Sequence, residues 1–241
     1  MSSKAGDTHA SEKRRAARRA CDWIEDGMVL GLGTGSTMRF VLEHVAARRA
    51  QGEWADLRAI PTSRATEQLA RHLEIPLCDL AAGATPDLTI DGADEVDPDL
   101  RLIKGLGGAL LREKIVASVS HQMIVVADAA KRVERLGSRA PLPVEVDPFG
   151  AEAQRPFLAG LGSTPELREI EAGVPFVSDG GHWLFDCHFA DGISDPGRLE
   201  AELNARPGVL CTGLFLGFAS AVIFGTADGT QVVRASRHPD P

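Results

Sequence analysis

A chain of 241 residues is long enough to bury a sizeable core, and it suits one large domain or a main domain with a smaller companion. Its 44% hydrophobic and 25% charged content, with no apolar run of about 18 residues, excludes a helical membrane span and reads as a soluble globular protein. The formal charge of -8 disfavours general affinity for nucleic acid, whose phosphates attract Lys and Arg surfaces.

The first ten residues, MSSKAGDTHA, lack the apolar centre of a signal peptide and read as a loose tail. Residues 11–25, dominated by Ala, Arg and Lys, read as a helix that stops near Gly27. MVLGL is then a buried strand opening into the small-residue loop GLGTGST, and TMRFVLEHVAARRA is the helix after it. The same order recurs in LRAIP with SRATEQLARHL, in DLTI with GALLREKIVASVS beyond an acidic loop, and in QMIVVA with DAAKRVERLG. Such alternation predicts a parallel sheet with right-handed crossovers.

After Gly137 the texture changes. PLPVEV is strand-like, AEAQRPFLAGL looks helical, and PFVSDGGHWLFDCHF holds a turn signal between two strand candidates. Trp183, Phe185, Cys187 and Phe189 alternate onto one face, leaving His182, Asp186 and His188 on the other, as in a half-buried strand. A helix near Pro196 to Asn204 and a strand near Val209 to Thr212 follow, VIFGT returns as a final strand, and RASRHPDP reads as a frayed end. The expected architecture is α/β: a Rossmann-like parallel-sheet domain of residues 1–137 plus 214–241, with a smaller ferredoxin-like α+β domain inserted at 138–213.

Cys21, Cys78, Cys187 and Cys211 are far apart and form no CxxC, so they read as free thiols rather than a zinc site or a disulfide framework. With no signal peptide, that makes the cytoplasm the natural compartment. His182 and His188 can be drawn as metal ligands, but a solvated sheet face accounts for them without metal, and no metal is expected.

The unusual residues fall in loops beyond strand ends, where open parallel sheets bind ligands. In GLGTGST, backbone N–H groups and the hydroxyls of Thr34, Ser36 and Thr37 have the makings of an anion site, with phosphate the obvious candidate. The segment lacks the GK[ST] ending of a Walker loop and fails GxGxxG at Ser36, so no nucleotide is implied, and a tight turn explains the glycines equally well. The stretch DLTIDGADEVDPDLRLIKGLGG sets Asp91, Asp94, Glu95, Asp97 and Asp99 ahead of Lys104. A calcium loop would need a D-x-D-x-D-G order that is missing, a magnesium site lacks direct support, and a plain solvated loop leaves Asp91 and Lys104 unexplained. Carboxylates and an ammonium in one crevice suit proton transfer. Glu113 stands early in the next helix, where a negative charge suits the dipole. Leu111, Ile115 and Val119 mark an apolar stripe roughly opposite to it, so spacing points Glu113 at solvent, and Lys131 reads as an ordinary surface lysine.

With GLGTGST, IDGADE, KGLGGALLREKI, VVADAAK, PLPVEV, PGVLCTGLF and FGTADG in order from about residue 11 to about residue 230, the sequence resembles ribose-5-phosphate isomerase of the A type. The resemblance implies cofactor-independent interconversion of D-ribose 5-phosphate and D-ribulose 5-phosphate through an enediolate, in the non-oxidative pentose phosphate pathway. By that resemblance Glu113 carries the proton between C2 and C1. Asp91 and Asp94, with Gly92 and Ala93 between them, handle hydroxyl protons and assist ring opening. Lys104, Gly105, Leu106 and Gly107 meet the sugar oxygens and stabilise the enediolate. Thr34, Gly35, Ser36 and Thr37 hold the phosphate with Lys13 and Lys131. Leu106 departs from the glycine usual after KG, which raises the question of loop freedom and substrate fit. The resemblance also implies a small-molecule sugar phosphate as the partner, no nucleic acid or membrane, and a homodimer or larger homo-oligomer. A non-catalytic sugar-phosphate sensor and an isomerase for another sugar phosphate are the competing readings.

Overall fold

The computed structural model describes residues 2–80 and 83–235. In chain order the elements are helix α1 (Ser2–Ala20), strand β1 (Val29–Leu32), α2 (Ser36–Ala50), β2 (Arg58–Pro61), α3 (Arg64–His72), β3 (Leu88–Gly92), β4 (Glu95–Val96), β5 (Leu102–Ile103), α4 (Leu110–Ser118) and β6 (Met123–Asp128). They continue with β7 (Leu142–Val146), α5 (Arg155–Gly160), β8 (Thr164–Leu167), β9 (Glu169–Glu171), β10 (Val174–Pro175), β11 (Trp183–His188), α6 (Pro196–Asn204), β12 (Val209–Thr212), β13 (Leu214–Phe215), β14 (Ala221–Thr226) and β15 (Gly229–Arg234). The expected tail over residues 1–10 is helical from Ser2, in keeping with a stretch free of proline; Met1 lies outside the described residues. Of the expected frayed end, residues 236–241 lie outside them too.

By contacts the chain divides into two compact units, Met1–Gly92 with Arg112–Lys131 and Gly217–Pro241, and Ala93–Leu111 with Arg132–Leu216. The second unit thus takes in residues 93–111, 132–137 and 214–216, which the sequence grouped with the first domain. The reason is a small antiparallel sheet, ordered β13-β5-β4, that ties the chain after β3 to the β13 strand. Strands of two residues carry no periodicity, so this sheet leaves no trace in the sequence.

The first unit is built on a six-stranded sheet in the order β15-β14-β6-β3-β1-β2, parallel except where β15 runs antiparallel to β14. Every residue of β1 and β6 is buried, which explains why these strands read as continuous apolar runs rather than alternating ones. Ala16, Ala17 and Ala20 of α1 and Met38, Val41, Leu42 and Val45 of α2 pack with Leu30, Leu32, Ile90, Ile124 and Val126 of the sheet. From β1 the chain order proceeds to β2 on one side, while β3 lies on the other side, so the two neighbouring strands β1 and β3 send their onward connections in opposite directions. That is the topological switch point at which ligands bind in open α/β sheets.

The segment after β6, expected as a helix over DAAKRVERLG, makes only a 3-10 turn at Ala129–Lys131. Within the second unit the Val133 N–H donates to the Val96 carbonyl (3.0 Å), and Val133 and Leu136 are buried in that unit's core, so helical i→i−4 bonding gives way to strand-like pairing. That unit's main sheet is antiparallel, ordered β12-β7-β11-β8, with Leu142, Val144, Phe185, Leu199 and Leu203 in its core. AEAQRPFLAGL splits into a 3-10 turn and α5 at Pro156, which has no N–H to continue a helix. Glu145, 1% exposed, accepts from Ser178 Oγ (2.7 Å) and contacts His182 Nδ1 (2.9 Å), while His188 lies 3.7 Å from Glu166.

Among the described residues no three His, Cys, Asp or Glu side chains converge as a metal ion would need, and no helix is long and apolar enough to cross a membrane. The four cysteines are free thiols. Burial pushes Cys21 and Cys187 up to about 12, which keeps both thiols protonated and unreactive near neutral pH.

Candidate active site

In the first unit the site is organised by Asp91 at the end of β3. Its carboxylate is fully buried, and Oδ1 accepts from two backbone amides, Thr34 N–H (3.1 Å) and Gly92 N–H (2.7 Å). A buried carboxylate needs such donors to replace water. Gly33 passes so close that a Cβ there would lie 2.0 Å from Asp91 Oδ1 and 2.6 Å from its Cα, so only glycine fits. Gly35 then caps α2, with Ser36 and Thr37 in the first turn and no acidic residue there. Exposed Ser36 accepts from Lys13 Nζ (3.0 Å). Amides at a helix start, two hydroxyl residues and an ammonium are the parts of a phosphate site. The Thr34 hydroxyl, expected to point at the anion, turns away instead toward Thr62, Ser63 and Thr66, with oxygen separations of 2.9, 2.8 and 3.2 Å.

Glu113 lies in the first turn of α4 and is 4% exposed, against the expectation that it faces solvent. Ile115 and Val119, read as the buried stripe, are 44% and 42% exposed. The covered positions are Leu110, Glu113, Val116 and Ala117, a regular helical face in which the glutamate takes a place a hydrophobic residue would ordinarily hold. Lys131 is half-buried in the 3-10 turn after β6, and buried Asp128 at the end of that strand accepts from Ala130 N–H (3.1 Å).

In the second unit the acidic loop leads into the lysine loop. Asp94 is held at both ends: its N–H donates to Ile103 O (2.8 Å) and its Oδ2 accepts from Leu106 N–H (3.0 Å). Lys104 is 3% exposed, its backbone N–H donates to Gly213 O (2.9 Å), and its ammonium sits 5.4 Å from the centre of the Phe215 ring. Gly105 has φ +105°, which a side chain would strain, whereas Leu106 has no positive φ and is 41% exposed, so the leucine is accommodated without backbone cost. Gly107 is exposed, and Gly92 and Ala93 are half-buried. Arg168 donates from Nη1 to the carbonyls of Gly105 (3.0 Å) and Leu106 (3.1 Å) while its other nitrogens grip Asp186 (2.8 and 2.5 Å), fixing the peptide planes of the lysine loop.

The remaining acids of the stretch have structural employment. Buried Glu95 accepts from the N–H groups of Gly137 (2.5 Å), Arg139 (2.7 Å) and Ala140 (2.7 Å). Asp97 accepts from Asp99 N–H (3.0 Å), Arg101 N–H (2.9 Å) and Arg101 Nε (2.6 Å), and exposed Asp99 pairs with Arg101 at 3.1 Å. Sequence reasoning missed Thr62, Ser63, Thr66 and Arg168. The first three left a signal, a run of hydroxyl residues at the end of β2; Arg168 left none, since it meets its loop across 62 residues of chain. Gly33→Ala is expected to lower stability by about 1–3 kcal/mol, the usual cost of overpacking, with loss of turnover; a urea titration matching the wild type would show that the Asp91 contact is not as tight as drawn.

The ribose 5-phosphate isomerase A (phosphoriboisomerase A) family model matches residues 58–229. The ribose-5-phosphate isomerase A of Roseiflexus castenholzii is 53% identical over 217 residues, spanning 90% of this chain and 92% of its own length. Among solved structures, the ribose 5-phosphate isomerase from Plasmodium falciparum is similar with a TM-score of 0.91 at 35% identity, over 95% of this chain and 100% of that one. A D-ribose-5-phosphate isomerase in complex with phospho-erythronic acid aligns with a TM-score of 0.89 at 38% identity, over 92% of this chain and 97% of that one.

Proposed function

The chain belongs to the ribose 5-phosphate isomerase A family, and from that premise we infer that it interconverts D-ribose 5-phosphate and D-ribulose 5-phosphate through an enediolate, using its own side chains and no cofactor. In the aldose-to-ketose direction the Glu113 carboxylate removes the C2 proton of the open-chain sugar. The electron pair left behind forms the C1–C2 double bond as the C1 carbonyl takes up negative charge. Glu113 returns the proton to C1, while the O2 proton passes to O1, so that atoms and charge balance. Asp91 and Asp94 accept and return hydroxyl protons and assist ring opening. Lys104, with the loop amides around Gly105, Leu106 and Gly107, stabilises the developing oxyanion. Lys13, Lys131 and the segment Thr34 to Thr37 hold the phosphate, Thr34 indirectly, through the hydrogen bonds by which its N–H and hydroxyl fix the loop.

The observation that carries this reading is the burial of Glu113. A carboxylate on the covered face of a helix lowers stability relative to an apolar residue, and a base placed for proton abstraction gives it a reason to be there. A sugar-phosphate sensor has no use for such a base. Phospho-erythronic acid, bound by a solved relative, adds support: its carboxylate offers the planar pair of oxygens that an enediolate carries beside the same phosphate. The proposal extends to cytoplasmic residence and to a homodimer or larger homo-oligomer, both resting on the family; light scattering that returned the 25.6 kDa of one chain would reject the assembly.

Glu113→Gln is expected to lower kcat by about 10²–10⁴-fold while phospho-erythronic acid still binds, because the amide cannot accept the proton. Wild-type turnover is expected to be indifferent to EDTA. Full activity in the variant would remove Glu113 as the base. Since Leu106 needs no glycine-like conformation, Leu106→Gly should leave KM for ribose 5-phosphate within about twofold of wild type, as for most surface changes. A changed preference among pentose phosphates would instead make Leu106 a specificity residue.

A further inference from the structure

Three buried hydroxyl residues after β2, Thr62, Ser63 and Thr66, are 0%, 4% and 6% exposed and have no part in the chemistry assigned above. Their hydrogen bonds run in one direction. Thr66 Oγ1 donates to the Gly33 carbonyl (2.9 Å), Ser63 Oγ donates to Thr66 Oγ1 (3.0 Å), and Thr34 Oγ1 donates to Ser63 Oγ (2.8 Å). With those three protons committed, the 2.9 Å contact between Thr34 and Thr62 has Thr62 as its donor. The relay therefore ends on the carbonyl of the Gly33–Thr34 peptide, whose N–H on the opposite edge donates to Asp91 Oδ1 at 3.1 Å. One peptide plane is clamped between a threonine hydroxyl on α3 and the Asp91 carboxylate.

Resting on the isomerase reading, we propose that Thr66, backed by Ser63 and Thr62, is a positioning residue for the reaction: its hydroxyl sets the Gly33–Thr34 peptide, which in turn orients Asp91 and the first turn of α2 where the phosphate is held. Stability alone does not require this arrangement. The cap of α3 is made by Ser63 Oγ accepting the Thr66 N–H (3.0 Å), and that bond survives if the Thr66 hydroxyl is removed. The hydroxyl is free to serve another end, and it reaches 33 residues back along the chain to the phosphate loop.

The test compares wild type, Thr66→Val and Thr66→Ser, with thermal midpoints alongside steady-state kinetics on ribose 5-phosphate and inhibition by phospho-erythronic acid and by inorganic phosphate. Thr66→Val keeps the shape and deletes the donor. It is expected to raise KM and both inhibition constants roughly three- to tenfold, the worth of one hydrogen bond, with a smaller change in kcat, and Thr66→Ser is expected to restore them. Thr62→Val, which removes only the outer donor to Thr34, should move the same constants in the same direction and serves if Thr66→Val does not fold. An active wild type whose Thr66→Val variant shows only a lowered thermal midpoint, with KM and inhibition constants unchanged, overturns the positioning role and leaves the isomerase reading intact. A wild type inert on ribose 5-phosphate overturns that reading and this inference with it.

Discussion

The contact between the Asp91 carboxylate and the two amides of Thr34 and Gly92 is the constraint from which the rest of the first unit's site follows. It joins the ends of β1 and β3 at the switch point of the sheet, so the path of the GLGTGST loop and the orientation of the Asp91 carboxylate are one feature. Each charge-assisted hydrogen bond to a buried carboxylate is worth about 1.5–3 kcal/mol, enough to offset much of the cost of taking the group out of water. Gly33 is explained by the same side chain, and Gly31 by its neighbour on β3. On β1, Gly31 stands opposite Thr89, and a Cβ at Gly31 would be 2.0 Å from Thr89 Oγ1, just as one at Gly33 would be 2.0 Å from Asp91 Oδ1. Residues two apart on a strand share a face. The GLG of the loop therefore clears space on one face of β1 for two side chains leaning over from β3, and neither glycine has a positive φ.

That resolves a question the sequence leaves open, whether the glycine run is an anion cradle or a tight turn. It is partly neither: Gly31 and Gly33 answer to steric demand from a neighbouring strand, and only Gly35 stands at the helix start, as the N-cap of α2. A single sequence shows which residues are small but not what stands next to them across a sheet.

The apolar strands and their helices were legible because continuous burial writes itself as runs of Val, Ile and Leu, as in β1 and β6. Two kinds of feature were not. Strands of two residues, such as β4 and β5, are too short for any pattern, and β15 follows β14 through the two-residue turn Ala227–Asp228 with a half-exposed sequence that carries little apolar signal. Glu113 shows the other limit. Its helix exposes Ile115 and buries a carboxylate, so the apolar pattern misreports the covered face at this position. Periodicity pointed Glu113 at solvent, and the structure buries it.

The crowd of acids after β3 and the chain's formal charge of -8 sit oddly with a substrate that carries a phosphate. The hydrogen bonds reconcile them. Asp91 takes two backbone amides, Glu95 takes three, and Asp97 takes two with one guanidinium beside it. Amides are dipoles fixed by the fold, so they compensate a buried carboxylate where it stands. Lys13, for its part, sets its ammonium against the Ser36 hydroxyl at the start of α2. Backbone amides thus let an acidic stretch bury carboxylates whose charge the fold itself answers.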